Sequence, residues 1–237
     1  MKRSVKKLII WLSSIVLVFG GCIIYVCDYY HADDDAILLL TENHSVEPFE
    51  LSRGVLAFEP QNPSAGFIFY PGGKVEYTAY IPLMSALAEE GILCILIKMP
   101  CNLAVLDMNA AKGLTEKYPD IDDWYIGGHS LGGSMAASYA SKNDHEIDGL
   151  ILLGSYSTAK LSIPVLSLYG SEDSIMNREK YAKYKPNIEL ALTENIIEGG
   201  NHALFGSYGA QKGDGVPTIS DKEQLDLTAQ IIIEFIN

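Results

Sequence analysis

Along this chain, short apolar runs alternate with stretches of helical periodicity. Gly66-Phe67-Ile68-Phe69-Tyr70 and Ile92-Leu93-Cys94-Ile95-Leu96-Ile97 are unbroken apolar segments. That is the pattern of parallel strands covered on both faces. Residues 147–153, 163–169, with Pro164 near its start, and 190–197 read as further strands. Residues 46–50 and 55–58, separated by Arg53-Gly54, read as an antiparallel hairpin. Over residues 77–90 the helical period runs through Tyr80, Leu83, Met84, Leu87 and Ala88, and Gly91 follows as a C-cap. Further helices are expected over 102–118 with Asn102 as cap, over Arg178–Tyr184 and over 221–237, with a short helix-like segment over 33–42. Strands alternating with helices imply an α/β fold with a mostly parallel, doubly wound sheet. Ligands of such sheets bind beyond the carboxyl ends of the strands.

The first thirty residues follow a different pattern. Lys2, Arg3, Lys6 and Lys7 precede the uncharged run 8–27, and Asp28 ends it. A run of about twenty apolar residues is long enough to cross a bilayer as one helix. Tyr25, Tyr29 and Tyr30 stand near its outer end as interfacial anchors, and Asp33-Asp34-Asp35 follows. The positive-inside rule then makes 1–7 a cytoplasmic basic tail, 8–27 a transmembrane signal anchor in the cell membrane and 28–45 a linker. Residues 46–237 become a single domain on the extracytoplasmic side. Two other readings compete: a cleaved signal peptide, and a lipoprotein signal ending at Cys22 after Gly20-Gly21. The length of the apolar run, Phe19 and Ile23-Ile24 count against both. All three readings export the domain.

Composition narrows the partners. Of 17 Lys and Arg, four lie at the N-terminus, so the rest of the chain sets 13 bases against 30 acids, within a formal net charge of -13. An acidic body argues against binding nucleic acid or an anionic membrane surface through a broad basic patch. The four cysteines, Cys22, Cys27, Cys94 and Cys101, match no zinc spacing and no disulfide framework. Cys94 reads as a core residue, and a Cys94–Cys101 bridge would need a sharp turn between them.

The chemistry centres on Gly128-His129-Ser130-Leu131-Gly132. An apolar strand, Trp124-Tyr125-Ile126, precedes it, and a small-residue helix from Ser134 to Ala140 follows. Gly-x-Ser-x-Gly on a strand-to-helix turn presents its serine outward as a nucleophile. Side chains at Gly128 and Gly132 would collide where the helix folds back on the strand. The competing reading is a glycine-rich turn of structural use only. A serine nucleophile needs a base and a group to orient that base. Five histidines are present. His31 and His44 precede the sheet. His129 holds the variable position of the turn, its ring directed away from the hydroxyl, and His145 lies in a polar loop. His202, late in the chain and just past a strand, is the expected base. Asp173, past the Tyr169-Gly170 turn, is the expected acid, with Glu172 as the fallback. The backbone N–H of Leu131, and that of Gly73 or Lys74 in Pro71-Gly72-Gly73-Lys74, would form an oxyanion hole.

These pieces resemble the α/β-hydrolase superfamily, within it the small, capless, dienelactone-hydrolase-like branch. The matching segments are Tyr70-Pro71-Gly72-Gly73, Gly128-His129-Ser130-Leu131-Gly132, Tyr169-Gly170-Ser171-Glu172-Asp173 and Gly200-Asn201-His202. The resemblance implies a Ser130–Asp173–His202 triad and hydrolysis of a small-molecule ester with no metal or organic cofactor. Dienelactone hydrolases proper commonly use cysteine where this chain has Ser130, which argues for a general esterase over a lactone hydrolase. Only about ten residues separate the strand ending at Leu153 from the one beginning at Ile163, so no large cap is expected. The glycine-rich stretch 206–215 is the candidate lid. Acyl transfer on the same triad, or a silent binding domain, are the alternative functions. The oligomeric state is left open.

Overall fold

The computed structural model describes residues 2–38 and 45–237. The apolar runs become eight strands: β1 (Pro48–Ser52), β2 (Val55–Phe58), β3 (Ala65–Tyr70), β4 (Ile92–Ile97), β5 (Trp124–His129), β6 (Gly149–Leu153), β7 (Val165–Gly170) and β8 (Leu192–Ile197). They form one sheet in the order β1-β2-β4-β3-β5-β6-β7-β8. The hairpin β1–β2 is antiparallel and joins β4 antiparallel, and all the other pairs are parallel. The chain passes from β3 outward to β4, then crosses back to β5 on β3's other side. Because Tyr70 pairs with Gly128, the loop after β3 and the turn after β5 leave the sheet side by side.

Successive side chains of a strand point to opposite faces. Phe67 and Phe69 therefore join a core beneath α3 (Ile81–Glu89) and α6 (Asp221–Ile236). Ile68 and Tyr70 join the opposite core, with Ala136 and Ala137 of α4 (Leu131–Ala140). The remaining helices are α1 (Lys2–Cys27), α2 (Asp34–Leu38) and α5 (Arg178–Tyr184). Asn177 caps α5 by accepting from Lys180 N–H at 2.7 Å, and Ser220 caps α6 by accepting from Glu223 N–H at 3.2 Å. Cys94 is a free, fully buried core residue and Cys101 is free and exposed, so they are not bridged.

Four expectations change. No helix forms over 102–118; the segment consists of 3₁₀ turns, at Ala104–Leu106 and Thr115–Lys117, and tight turns. Asn102 has φ 54° and Gly113 has φ 73°, and neither conformation starts or continues an α-helix. The buried Tyr70 hydroxyl also intercepts the backbone, accepting from Ala111 N–H at 2.9 Å and donating to Met108 O at 3.0 Å. The region expected as a helix over 77–90 opens as a 3₁₀ turn, Tyr77–Tyr80, before α3.

The membrane span expected at 8–27 is not supported: among the described residues no helix is long and apolar enough to cross a membrane. Lastly, the expected linker 28–45 is fastened where it is described. Tyr30 N–H donates to Lys74 O at 2.7 Å and Tyr30 O accepts from Glu76 N–H at 2.9 Å, a bridge alongside Val75. His44 and the end of the expected 33–42 segment lie outside the described residues.

Candidate active site

Ser130 is the hinge between β5 and α4, with φ 52° and ψ -119°. A side chain other than glycine's rarely adopts a left-handed φ, and it persists only where the surroundings enforce it. Here they do. A Cβ on Gly128 would lie 2.4 Å from Tyr70 O, and one on Gly132 2.2 Å from the same oxygen. Strand and helix start are therefore pressed against the loop after β3. Ser130 N–H donates to Leu153 O at 2.9 Å, and Ser155 Oγ donates to Ser130 O at 2.7 Å. The turn is thus held from β6 as well.

His202 and Asp173 meet from two other strand ends. His202 Nδ1 lies 2.8 Å from Asp173 Oδ2, with both side chains buried. The other Asp173 oxygen accepts the N–H groups of Ile175 at 2.9 Å and Met176 at 2.8 Å. Burial pushes the Asp173 carboxyl up, but the bond to His202, its charge and these two N–H groups outweigh it and hold the carboxyl below its ordinary range. An acceptor at Oδ2 fixes the neutral imidazole with its proton on Nδ1, leaving Nε2 as an acceptor. Among the described residues that buried Nε2 has no hydrogen-bond partner. Ser130 and His202 line one cavity of about 250 Å³ together with Leu131, Ser155, Tyr156 and Met176. Glu172, the fallback acid, is exposed and accepts from Ser171 Oγ at 3.0 Å.

Of the two oxyanion candidates after β3, one is committed elsewhere. Lys74 N–H donates to Asn102 O at 2.8 Å, and the Lys74 ammonium pairs with Asp28 at 2.8 Å. Among the described residues the N–H groups of Gly73 and Leu131 make no hydrogen bond. They are neighbours, since a Cβ on Gly73 would lie 2.9 Å from Leu131 Cδ2. Of the two, Lys74 N–H is therefore occupied and Gly73 N–H is the free one among the described residues.

His129 is not a bystander. It is buried, with Nδ1 2.8 Å from Tyr80 Oη and its ring centroid 4.4 Å from that of His202. Burial, and then the neighbouring His202, hold it well below its ordinary range, so it stays neutral. His31 and His145 are exposed. The candidate lid 206–215 lines no part of this cavity. Ser207 N–H donates to Ala79 O, and Asp214 accepts from Ser174 N–H at 3.2 Å and Ala203 N–H at 2.9 Å. That stretch ties the Asp173 loop to the His202 loop, which no local motif announces. Gly154 was also missed: at φ 53°, its Cβ would lie 2.7 Å from His202 Nδ1. A wider hollow of about 770 Å³, lined by residues 59–63 with Phe49 and Asp120, contains no nucleophile or imidazole.

Solved structures share the architecture. Est1E from Butyrivibrio proteoclasticus, with ferulic acid bound, matches with TM-score 0.59 at 12% identity, covering 76% of this chain and 94% of that one. A dienelactone hydrolase from Anabaena variabilis matches with TM-score 0.58 at 14% identity, over 81% and 97% of the two chains. Carboxylesterase CesB from Bacillus subtilis matches with TM-score 0.59 at 12% identity, over 85% and 94%. At such identities the likeness is one of fold. No curated protein matches the sequence. The sequence pattern of the alpha/beta hydrolase family, however, matches residues 66–226. That stretch runs from β3 to the start of α6 and holds Ser130, Asp173 and His202, and the chain belongs to that family.

Proposed function

We propose that this chain is a serine carboxylesterase acting on a small ester through Ser130, His202 and Asp173. The observation that carries the reading is the buried His202–Asp173 pair, whose unpartnered Nε2 shares a cavity with the serine of a strained strand-to-helix turn. The esterases and the dienelactone hydrolase among the structural neighbours support it by fold. Ser130 Oγ attacks the ester carbonyl while His202 Nε2 takes its proton. Asp173 stabilises the imidazolium that forms. The tetrahedral oxyanion is held by the N–H groups of Gly73 and Leu131, at the positive end of α4. His202 returns the proton to the departing alkoxide, leaving an acyl-Ser130. Water, activated by His202, then releases the acid. The cavity of about 250 Å³, with Ser134, Ser155 and Asn177 in its wall, favours a short acyl chain over a long one.

Turnover of p-nitrophenyl acetate by the wild type and by Ser130→Ala tests this. The variant is expected to lose at least about 10³-fold in kcat and to lose labelling by a fluorophosphonate. Equal turnover by both proteins would overturn the mechanism.

A further inference from the structure

We propose that His129 is a positioning residue for the oxyanion hole: through Tyr80 it holds Gly72, and so aims the adjacent Gly73 N–H beside that of Leu131. The inference rests on the esterase reading above. Its geometry is a buried relay of two bonds. Gly72 N–H donates to Tyr80 Oη at 3.0 Å, and Tyr80 Oη lies 2.8 Å from His129 Nδ1. Tyr80 has a single hydroxyl proton. Its oxygen accepts the Gly72 N–H, and in the proposed relay the hydroxyl proton is directed to His129 Nδ1 as an unprotonated acceptor. The ring proton of His129 then sits on Nε2, facing away from Tyr80.

The relay is tightly built. Tyr80 and His129 are buried to within 1%. A Cβ on Gly72 would lie 2.8 Å from both His129 Nδ1 and Tyr80 Oη, so the loop rests directly on the pair. Burial drives the Tyr80 hydroxyl up and the His129 imidazole down, which keeps both neutral. His129 is bonded in sequence to Ser130, and its ring lies against His202. One side chain therefore ties the nucleophile's turn to the loop that faces it across β3 and β5. A buried polar pair of this kind is costly unless every group is satisfied.

The test is a double-mutant cycle on p-nitrophenyl acetate turnover. Tyr80→Phe keeps the ring and removes only the hydroxyl, and His129→Leu removes the acceptor. Each is expected to lower kcat about 10- to 100-fold with KM within about twofold, as for a misaimed oxyanion donor. The double variant should be no worse than the weaker single, because both cut one relay. His129→Gln, whose side-chain carbonyl can accept from Tyr80, should recover most of the loss. Wild-type kcat in Tyr80→Phe, or independent effects that multiply in the double variant, would overturn the proposal. A second readout does not depend on the esterase reading. In the Ser130→Ala protein, imidazole ¹⁵N shifts should show His129 protonated at Nε2 and bare at Nδ1. A proton on Nδ1 would remove the relay whether or not any ester is turned over.

Discussion

Gly154→Ala probes how little room the His202–Asp173 pair has. Gly154 follows β6 at φ 53°, and an added Cβ would stand 2.7 Å from His202 Nδ1, 2.9 Å from Cε1 and 3.1 Å from Asp173 Oδ2. Two costs are separable. The left-handed backbone alone costs an alanine about 1 kcal/mol relative to glycine. The collision comes on top. To restore an ordinary contact the imidazole or the strand end must give by roughly 0.7 Å, a displacement comparable to the ~1 Å misplacement that costs about 100-fold in rate. His202 is 1% exposed and held at Nδ1 by Asp173, on the side from which the methyl would press. Overpacking of this kind costs about 1–3 kcal/mol. We therefore expect kcat for p-nitrophenyl acetate to fall about 30- to 100-fold with KM nearly unchanged, and unfolding free energy in urea to fall by about 2–4 kcal/mol. Gly113→Ala supplies the control. Gly113 has φ 73° and nothing within 4 Å of an added Cβ, so it should lose only the backbone share of about 1 kcal/mol and keep full kcat. A Gly154→Ala protein with wild-type kcat, or one no less stable than Gly113→Ala, would refute the collision argument.

Two further outcomes follow from the same site. Asp214→Ala strips a shared acceptor from Ser174 N–H and Ala203 N–H. It should cost about 2–3 kcal/mol in urea unfolding and about tenfold in kcat, with Asp214→Asn recovering part; an active, equally stable alanine variant would show that the two loops hold themselves. Asp173→Asn should reduce kcat by about 10³-fold or more, since amide nitrogen in place of Oδ2 reverses the imidazole tautomer. It also changes acid stability. The Asp173 carboxyl titrates below its ordinary value of 3.8 in the folded protein. Its stabilising contribution is therefore fully present above about pH 4 and is lost as pH falls through the lower folded value. Denaturation midpoints measured from pH 6 down to pH 3 should fall less steeply in Asp173→Asn than in the wild type, and parallel curves would contradict this.

Much of the fold is local pattern. β4 spans residues 92–97, the limits of its apolar run, and α5 the limits of its helical one, because a strand buried on both faces leaves an unbroken hydrophobic signature and a helix start leaves a cap residue. The segment 102–118 shows where that logic fails. Its composition suits a helix, but the Tyr70 hydroxyl, more than thirty residues earlier, takes two of its backbone groups. The N-terminal run shows a second limit: a hydropathy pattern suggests a span, whereas among the described residues no helix is long and apolar enough to cross a membrane.

What the sequence by itself determined was the parallel α/β sheet, the serine turn with glycines at its two pinch points, and the candidates Asp173 and His202. Each of these is written in a few adjacent residues, as a hydrophobic period, a glycine spacing or a polar loop after a strand. What only the tertiary structure decided was which groups meet: His202 against Asp173, Gly73 instead of Lys74 as the free donor, His129 beneath Tyr80, Asp214 across two loops and Gly154 under the imidazole. Those contacts join residues that lie far apart in the chain or face away from their own motif. Sheet order and crossover bring them together, and no short stretch of sequence carries that information.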